Sequence, residues 1–253
     1  MTNIILVGCN GKMGRVITAL TEFDQDCEIV AGVDVSDGIE NSYPVFTDGS
    51  LCDVEADVII DFSHPSALSG SIALAKRKNI PLIEATTGLS DEQKAELFSA
   101  QSEIPVFFSA NMSLGINLLT QLCKKAASLL WGDFDVEIIE KHHNQKIDAP
   151  SGTALALADS ISSVLDNSPE YVYDRHSVRK KRTNNEIGIH AIRGGTIVGE
   201  HSVIFAGKDE VVELKHQATS KEVFAVGSIR AAKFMKGKPK GLYDMNSLIG
   251  EII

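Results

Sequence analysis

Short apolar runs alternate with amphipathic segments along the first half of the chain. Asn3–Val7 (NIILV) is apolar after its first residue and stops at a glycine, the pattern of a buried strand. Lys12–Phe23 then sets Met13, Val16, Ile17 and Leu20 at helical spacing, and Glu28–Val33 (EIVAGV) predicts the next strand. Such a strand–helix–strand unit implies parallel strands and a right-handed crossover. The alternation continues with strands at Asp57–Asp61, Ile80–Glu84 and Pro105–Phe108, and helices over Pro65–Arg77 and Asp91–Ala100. The pattern predicts an α/β domain with a Rossmann-like, doubly wound parallel sheet.

The rhythm changes near Ser113. Leu114–Leu130 is one long apolar helix, Phe134–Lys141 a longer strand and Ser151–Leu165 a helix. Three further strands follow at Ile187–Arg193, His201–Ala206 and Glu210–His216, the last two joined by the turn Gly207-Lys208-Asp209. Strand-rich sequence after regular alternation predicts a second, α+β domain with a mixed open sheet, over 114–221. The polar stretch Asn167–Asn185 contains the basic run Arg179–Arg182 (RKKR), which reads as a solvated loop in preference to an anion-binding flap.

Charge narrows the partners. The 253 residues carry a formal net charge of −10, which argues against a nucleic-acid or anionic-membrane binder, since polyphosphate affinity needs a cationic surface. No apolar run approaches the ~18 residues of a membrane span, and no signal peptide precedes the first strand. The four cysteines (Cys9, Cys27, Cys52, Cys123) are scattered without a C-x-x-C pair, so they read as reduced thiols in a cytoplasmic protein with no metal site.

Two segments carry chemistry. Gly8-Cys9-Asn10-Gly11-Lys12-Met13-Gly14 lies between a strand and an amphipathic helix. There glycines allow a tight turn, close approach of backbone N–H groups to a pyrophosphate and close helix–strand packing. Asp34, twenty residues after Gly14 at the end of the second strand, is placed to accept from ribose hydroxyls. A carboxylate there repels a 2′-phosphate, so NADH is favoured; Lys12 and Arg15 lie near enough in sequence to leave NADPH open.

The second segment is Glu137–Thr153 (EIIEKHHNQKIDAPSGT). Histidine exchanges protons near neutrality. His142 and His143 point to opposite faces of a strand unless it ends there and the chain turns, which Asn144 permits. Lys146 is a cation for a carboxylate or a proton donor to an imine nitrogen. Ser151-Gly152-Thr153 opens a helix whose first N–H groups can bind an anion.

With these residues in view, the chain resembles the dihydrodipicolinate reductase (4-hydroxy-tetrahydrodipicolinate reductase) family of lysine and diaminopimelate biosynthesis, nearly end to end. The resemblance is carried by VGCNGKMG at Val7–Gly14, DFSHP at Asp61–Pro65, ATTG at Ala85–Gly88, SANMSLGIN at Ser109–Asn117, EKHHNQKIDAPSGTA at Glu140–Ala154 and IRGGTIVGEH at Ile192–His201. It implies an NAD(P)H-dependent oxidoreductase acting on a cyclic imine with two carboxylates. His142 is implied as acid/base and Lys146 as a second proton donor. His143, Lys146, Ser151, Gly152 and Thr153 are implied as substrate contacts. Gly8, Gly11, Met13 and Asp34 match cofactor-loop and ribose contacts, with Cys9, Asn10 and Lys12 in the same loop. Ala85, Thr86, Thr87, Ser109, Ala110, Asn111 and Met112 are implied on the nicotinamide side, and Lys221 as a further cofactor contact. Residues 222–253 are expected to rejoin 1–113 in the dinucleotide-binding domain, and the second sheet to build a homotetramer. Two departures stand out: Val35 and His64 occupy places where some relatives carry arginine. Rival readings are another Rossmann-type dehydrogenase of an amino acid or semialdehyde, or a non-catalytic NADH-binding redox sensor.

Overall fold

The computed structural model describes residues 1–251, which form two compact units: Met1–Leu114 with the chain from Glu222 onward, and Gly115–Lys221.

In the first unit, strands β1 (Thr2–Val7), β2 (Cys27–Val33), β3 (Val45–Phe46), β4 (Val58–Asp61), β5 (Leu82–Glu84) and β6 (Pro105–Phe108) alternate with helices α1 (Lys12–Thr21), α2 (Leu68–Lys78) and α3 (Asp91–Ser99). After the second unit the chain returns as α6 (Glu222–Met235), β12 (Gly241–Tyr243) and α7 (Met245–Gly250). The seven strands are parallel, in the order β12-β6-β5-β4-β1-β2-β3. Period-two alternation splits the sheet between two cores. Ile4, Leu6, Val58 and Ile60 face α1, α6 and α7, whereas Ile5, Ile59, Leu82 and Val106 face α2 and α3. The order of strands reverses between β1 and β4, and a crevice at the strands' carboxyl ends there is where such sheets take ligands.

In the second unit, α4 (Leu114–Leu130) and α5 (Gly152–Ser162) cover one face of a mixed sheet. Its strands are β7 (Asp135–His142), β8 (Glu170–Val172), β9 (Glu186–Arg193), β10 (Gly199–Ala206) and β11 (Val211–Ala218), in the order β11-β10-β7-β9-β8. β10 pairs antiparallel with β7 and β11, and β9 pairs parallel with β7 and β8.

Three differences from the sequence reading bear on function. β7 runs through His142 rather than stopping at Lys141, so His142 shares the inward face of Val136, Ile138 and Glu140. The stretch 167–185 contains the edge strand β8, too short to show a period. The RKKR run is not simply solvated: Arg182 binds the carboxylates of Asp135 (2.7 Å) and Glu137 (3.1 Å) and the carbonyls of Val136 and Glu186. It pins the loop across the start of β7.

Candidate active site

The first unit carries a cleft of about 760 Å³, lined by residues from the ends of β1, β2, β4 and β5. Gly8, Gly11, Lys12, Met13, Asp34, Thr86 and Thr87 all line it. Its floor is a main-chain cradle. Gly8 has φ +80°, and a Cβ there would stand 2.8 Å from the Phe62 carbonyl. A Cβ on Gly14 would lie 2.1 Å from the Gly8 carbonyl, so the helix meets the loop at a distance only glycine allows. No side chain caps α1 at Gly11. Its first amides therefore keep their capacity for an anion, with the positive end of the helix dipole behind them. Asp34 is held by the backbone N–H groups of Asn10 (2.9 Å) and Ser36 (3.3 Å). This cradle fits a nucleotide pyrophosphate with a ribose at Asp34.

Other sequence candidates lie outside the lining. Cys9 is fully buried in the core, so only its backbone is available to a ligand, and Ala85 and Met112 are also buried. Asn10 acts through its amide on Asp34 and its carboxamide on Ser36. Ser109 accepts from the Asn111 amide and donates to its carbonyl, closing the turn after β6, with Ala110 exposed at its tip. Lys221 is exposed at the end of the second unit.

In the second unit the histidine segment is built around a fully buried glutamate. Glu140 faces His142 from two residues back along β7, and its Oε2 lies 2.7 Å from Nδ1 of that ring. Arg193, at the end of β9, grips both oxygens of Glu140 at 2.7 Å, and the Ser151 amide donates to Oε1 at 2.9 Å. Burial opposes the charge on Glu140, but the bonds from Arg193, His142 and Ser151 win and hold it below the usual carboxylate range. His201 on β10 stands edge-to-face with His142 (5.3 Å between centroids) and meets the Ser151 hydroxyl at 3.1 Å. That hydroxyl caps α5 by accepting from the Ala154 amide.

After His142 the strand ends. The Gly194 amide donates to its carbonyl, and Asn144 donates to Gly195, turning the chain. The turn brings the Lys146 amide onto the His143 carbonyl, while the Lys146 ammonium lies 2.9 Å from Asp148. Lys146, and to a smaller extent the Gly152 amide, keep the Asp148 carboxyl below its ordinary range. A carboxylate of the chain itself thus already sits at Lys146 and the opening of α5. Ser151 is engaged with Glu140, Ala154 and His201, so its part is to build the cradle.

The two halves of the chain match the two family models of dihydrodipicolinate reductase, its N-terminus over residues 2–112 and its C-terminus over residues 115–249. The 4-hydroxy-tetrahydrodipicolinate reductase of Clostridium tetani is 53% identical over 249 residues, spanning 98% of this chain and 97% of its own. That of Caldanaerobacter subterraneus subsp. tengcongensis is 52% identical, with 98% of each covered. The chain belongs to the dihydrodipicolinate reductase family. Among solved structures, a dipicolinate-bound dihydrodipicolinate reductase from Paenisporosarcina sp. TG-14 superposes with a TM-score of 0.82 at 25% identity, over 97% of this chain and 99% of that one. A probable dehydrogenase from Thermotoga maritima (TM-score 0.61, 11% identical) shares the fold alone.

Within this reductase family member, Glu140, Arg193 and His201 are the site residues that the sequence reading missed. Glu140 had a signal: it lies two positions before His142 and therefore on the same strand face. Arg193 and His201 reach the site through the pairings β7–β9 and β7–β10, which place Arg193 opposite His142 and His201 opposite Glu140. Nothing local in the sequence announces those pairings.

Proposed function

We propose that this chain reduces 4-hydroxy-tetrahydrodipicolinate to tetrahydrodipicolinate, with loss of water, at the expense of NADH or NADPH, in diaminopimelate and lysine biosynthesis. The observation that carries the reading is that the two matched family halves fall on the two half-sites, the glycine cradle in one and the His142 cluster in the other.

A reduced nicotinamide bound in the cleft would supply the hydride. Gly8, Gly11, Lys12 and Met13 would hold its pyrophosphate, Asp34 a ribose, and Thr86 and Thr87 the inner wall. Glu140 fixes the His142 ring through Nδ1, which leaves Nε2 to give or relay the proton that the reduced ring requires. A positioned general acid is typically worth about 10²–10⁴ in rate. Lys146, His143, the Gly152 amide and Thr153 would take a substrate carboxylate, a reading supported by the Asp148 carboxylate that pairs with Lys146. Charge-assisted bonds of this kind orient as well as bind.

NADH is the preferred donor in this reading, because Lys12 is the sole lysine or arginine among the described lining residues and Asp34, also in the lining, would meet the ribose. The chain would work as a cytoplasmic homotetramer built on the sheet face of the second unit that α4 and α5 leave uncovered, which carries the Lys141–Glu200–Lys215 ion cluster. Light scattering at a single protomer mass would overturn the assembly. The activity is tested by following NADH oxidation with freshly generated substrate. Turnover is expected, and its absence with both nucleotides overturns the reading. Tighter binding of NADPH than NADH by calorimetry would reverse the preference.

A further inference from the structure

Strands β4 and β5 both end on a buried acid. Asp61 and Glu84 are direct partners in the parallel register, and both are 0% exposed. No cation acts on either charge among the described residues. Their hydrogen bonding is unequal. Asp61 accepts from the Ser63 amide (3.1 Å) and from the hydroxyls of Ser63, Ser71 and Thr86. Glu84 accepts from the Thr86 amide to Oε1 at 2.8 Å, the Thr86 hydroxyl also favours its charge, and its buried Oε2 meets no donor among the described residues.

Two adjacent buried acids without a cation do not both ionise in such a place; one of them keeps its proton. Burial raises the Asp61 carboxyl as well, but the donors gathered on it oppose that rise, and Glu84 has fewer of them. A proton on Glu84 removes the cost of burying a charged carboxyl whose Oε2 meets no donor. Burial pushes the Glu84 carboxyl up to about 8, and the charge of Asp61 adds to the rise. The surroundings supply no compensating charge: the buried residues of α2 and α6, which pack on β5, are all uncharged, and β6 sets Phe108 opposite Glu84.

The pair stands directly behind the cleft. Ser63, Ser71 and Thr86 line the cleft, and each donates a hydroxyl to Asp61. Thr86 also gives its amide to Glu84 and accepts from the Ser63 amide at 3.2 Å. We propose that Asp61 and Glu84 form an acid–carboxylate pair, with the proton on Glu84, that positions the Ser63–Ser71–Thr86 wall and keeps it from presenting two negative charges to the cofactor. Glu84 is then a positioning residue, and this role rests on the reading of the cleft as the nucleotide site.

Two measurements on the full chain test it. In the nucleotide-free protein near pH 7, the infrared difference between wild type and Glu84→Gln should show the carbonyl stretch of a protonated carboxylic acid; its absence overturns the pair. NADH titrations from about pH 6 to 9 should show wild-type affinity falling about tenfold as Glu84 ionises, equivalent to one unit between its pKa in free and bound protein. The neutral isostere Glu84→Gln should lose that pH response and bind NADH more tightly than Glu84→Ala does. A Gln variant that keeps the response, or binds no better than Ala, overturns the role. If wild type binds no nicotinamide nucleotide, the cofactor reading fails and the positioning role falls with it, while the infrared band still decides whether the pair keeps a proton.

Discussion

In the first unit the surface offered to a ligand is largely main chain: a glycine loop, uncapped helix amides and hydroxyls that hang on a buried acid. In the second it is charged side chains, each already held by an opposite partner: Glu140 by Arg193 and His142, Asp148 by Lys146. The two kinds of site fail differently. A backbone cradle is damaged by adding atoms, because there is no side chain to move aside. A charged cluster is damaged by removing a partner, because the remaining buried charge is left uncompensated. The first arrangement suits a constant group such as a pyrophosphate, and the second suits a reaction in which a proton must change place.

The strongest way to break this contrast is at His142. Replacement by Gln keeps a hydrogen-bonding side chain but removes the proposed proton relay. Steady-state kinetics should show kcat lower by about 10²–10⁴, the usual worth of one general acid. NADH affinity, set in the other unit, should stay within about twofold of wild type. Near-normal kcat would remove His142 from the chemistry, and a matching loss of NADH affinity would deny the separation of labour.

The complementary test adds one methyl group to the cradle. In Gly14→Ala the new carbon would meet the Gly8 carbonyl at 2.1 Å and the Cys9 carbonyl at 2.6 Å, both backbone atoms. Loss of NADH affinity by about tenfold or more, ~1.4 kcal/mol, is expected in a fluorescence titration. Gly70 also lines the cleft, but a Cβ there meets nothing within 4 Å, so Gly70→Ala should cost far less. Equal losses in the two variants would show that shape at the Gly8–Gly14 turn is not what counts.

Both tested features are disclosed by the sequence, but the residues that support them are not. The glycine loop, Asp34 and the His142–Thr153 segment are contiguous, so local spacing exposes them, and strand–helix alternation is enough to predict the parallel sheet. Arg193 and His201 are about fifty residues from the segment they serve. They arrive through strand pairings whose register depends on the whole sheet. The Asp61–Glu84 pair is hidden for a different reason. Each acid closes an ordinary apolar run, and only the in-register alignment of β4 and β5 brings the two buried carboxyls side by side. Ser151 looks like a ligand contact in sequence, yet its amide and hydroxyl are spent inside the site.

A smaller effect separates the carboxylate cradle from the internal carboxylate at its mouth. Lys146→Ala should raise the substrate KM and lower kcat, while Asp148→Asn removes the anion that competes for the same ammonium and should lower KM by about twofold to fivefold, in keeping with the modest worth of an exposed ion pair. A raised KM in Asp148→Asn would mean that Asp148 orders the loop rather than competes with substrate.

The smallest effect is expected at His201, and it falls on stability rather than rate. Burial, reinforced by the nearby His142, His216 and Lys146 and opposed by Glu140, lowers its pKa from 6.5 to about 4. Between those values the unfolded chain binds a proton that the folded chain does not, so the contribution is present above about 6.5 and is lost as pH falls through about 4. The apparent melting temperature should therefore drop on acidification across that window more steeply in wild type than in His201→Gln, whose side chain cannot charge. In a chain of this size roughly 2–4 °C corresponds to 1 kcal/mol. Parallel curves would show that His201 is not the group titrating. A flattened curve with normal kcat would show that its bond to Ser151 serves the cap of α5 rather than the proton relay, and would leave Glu140 as the residue that orients His142.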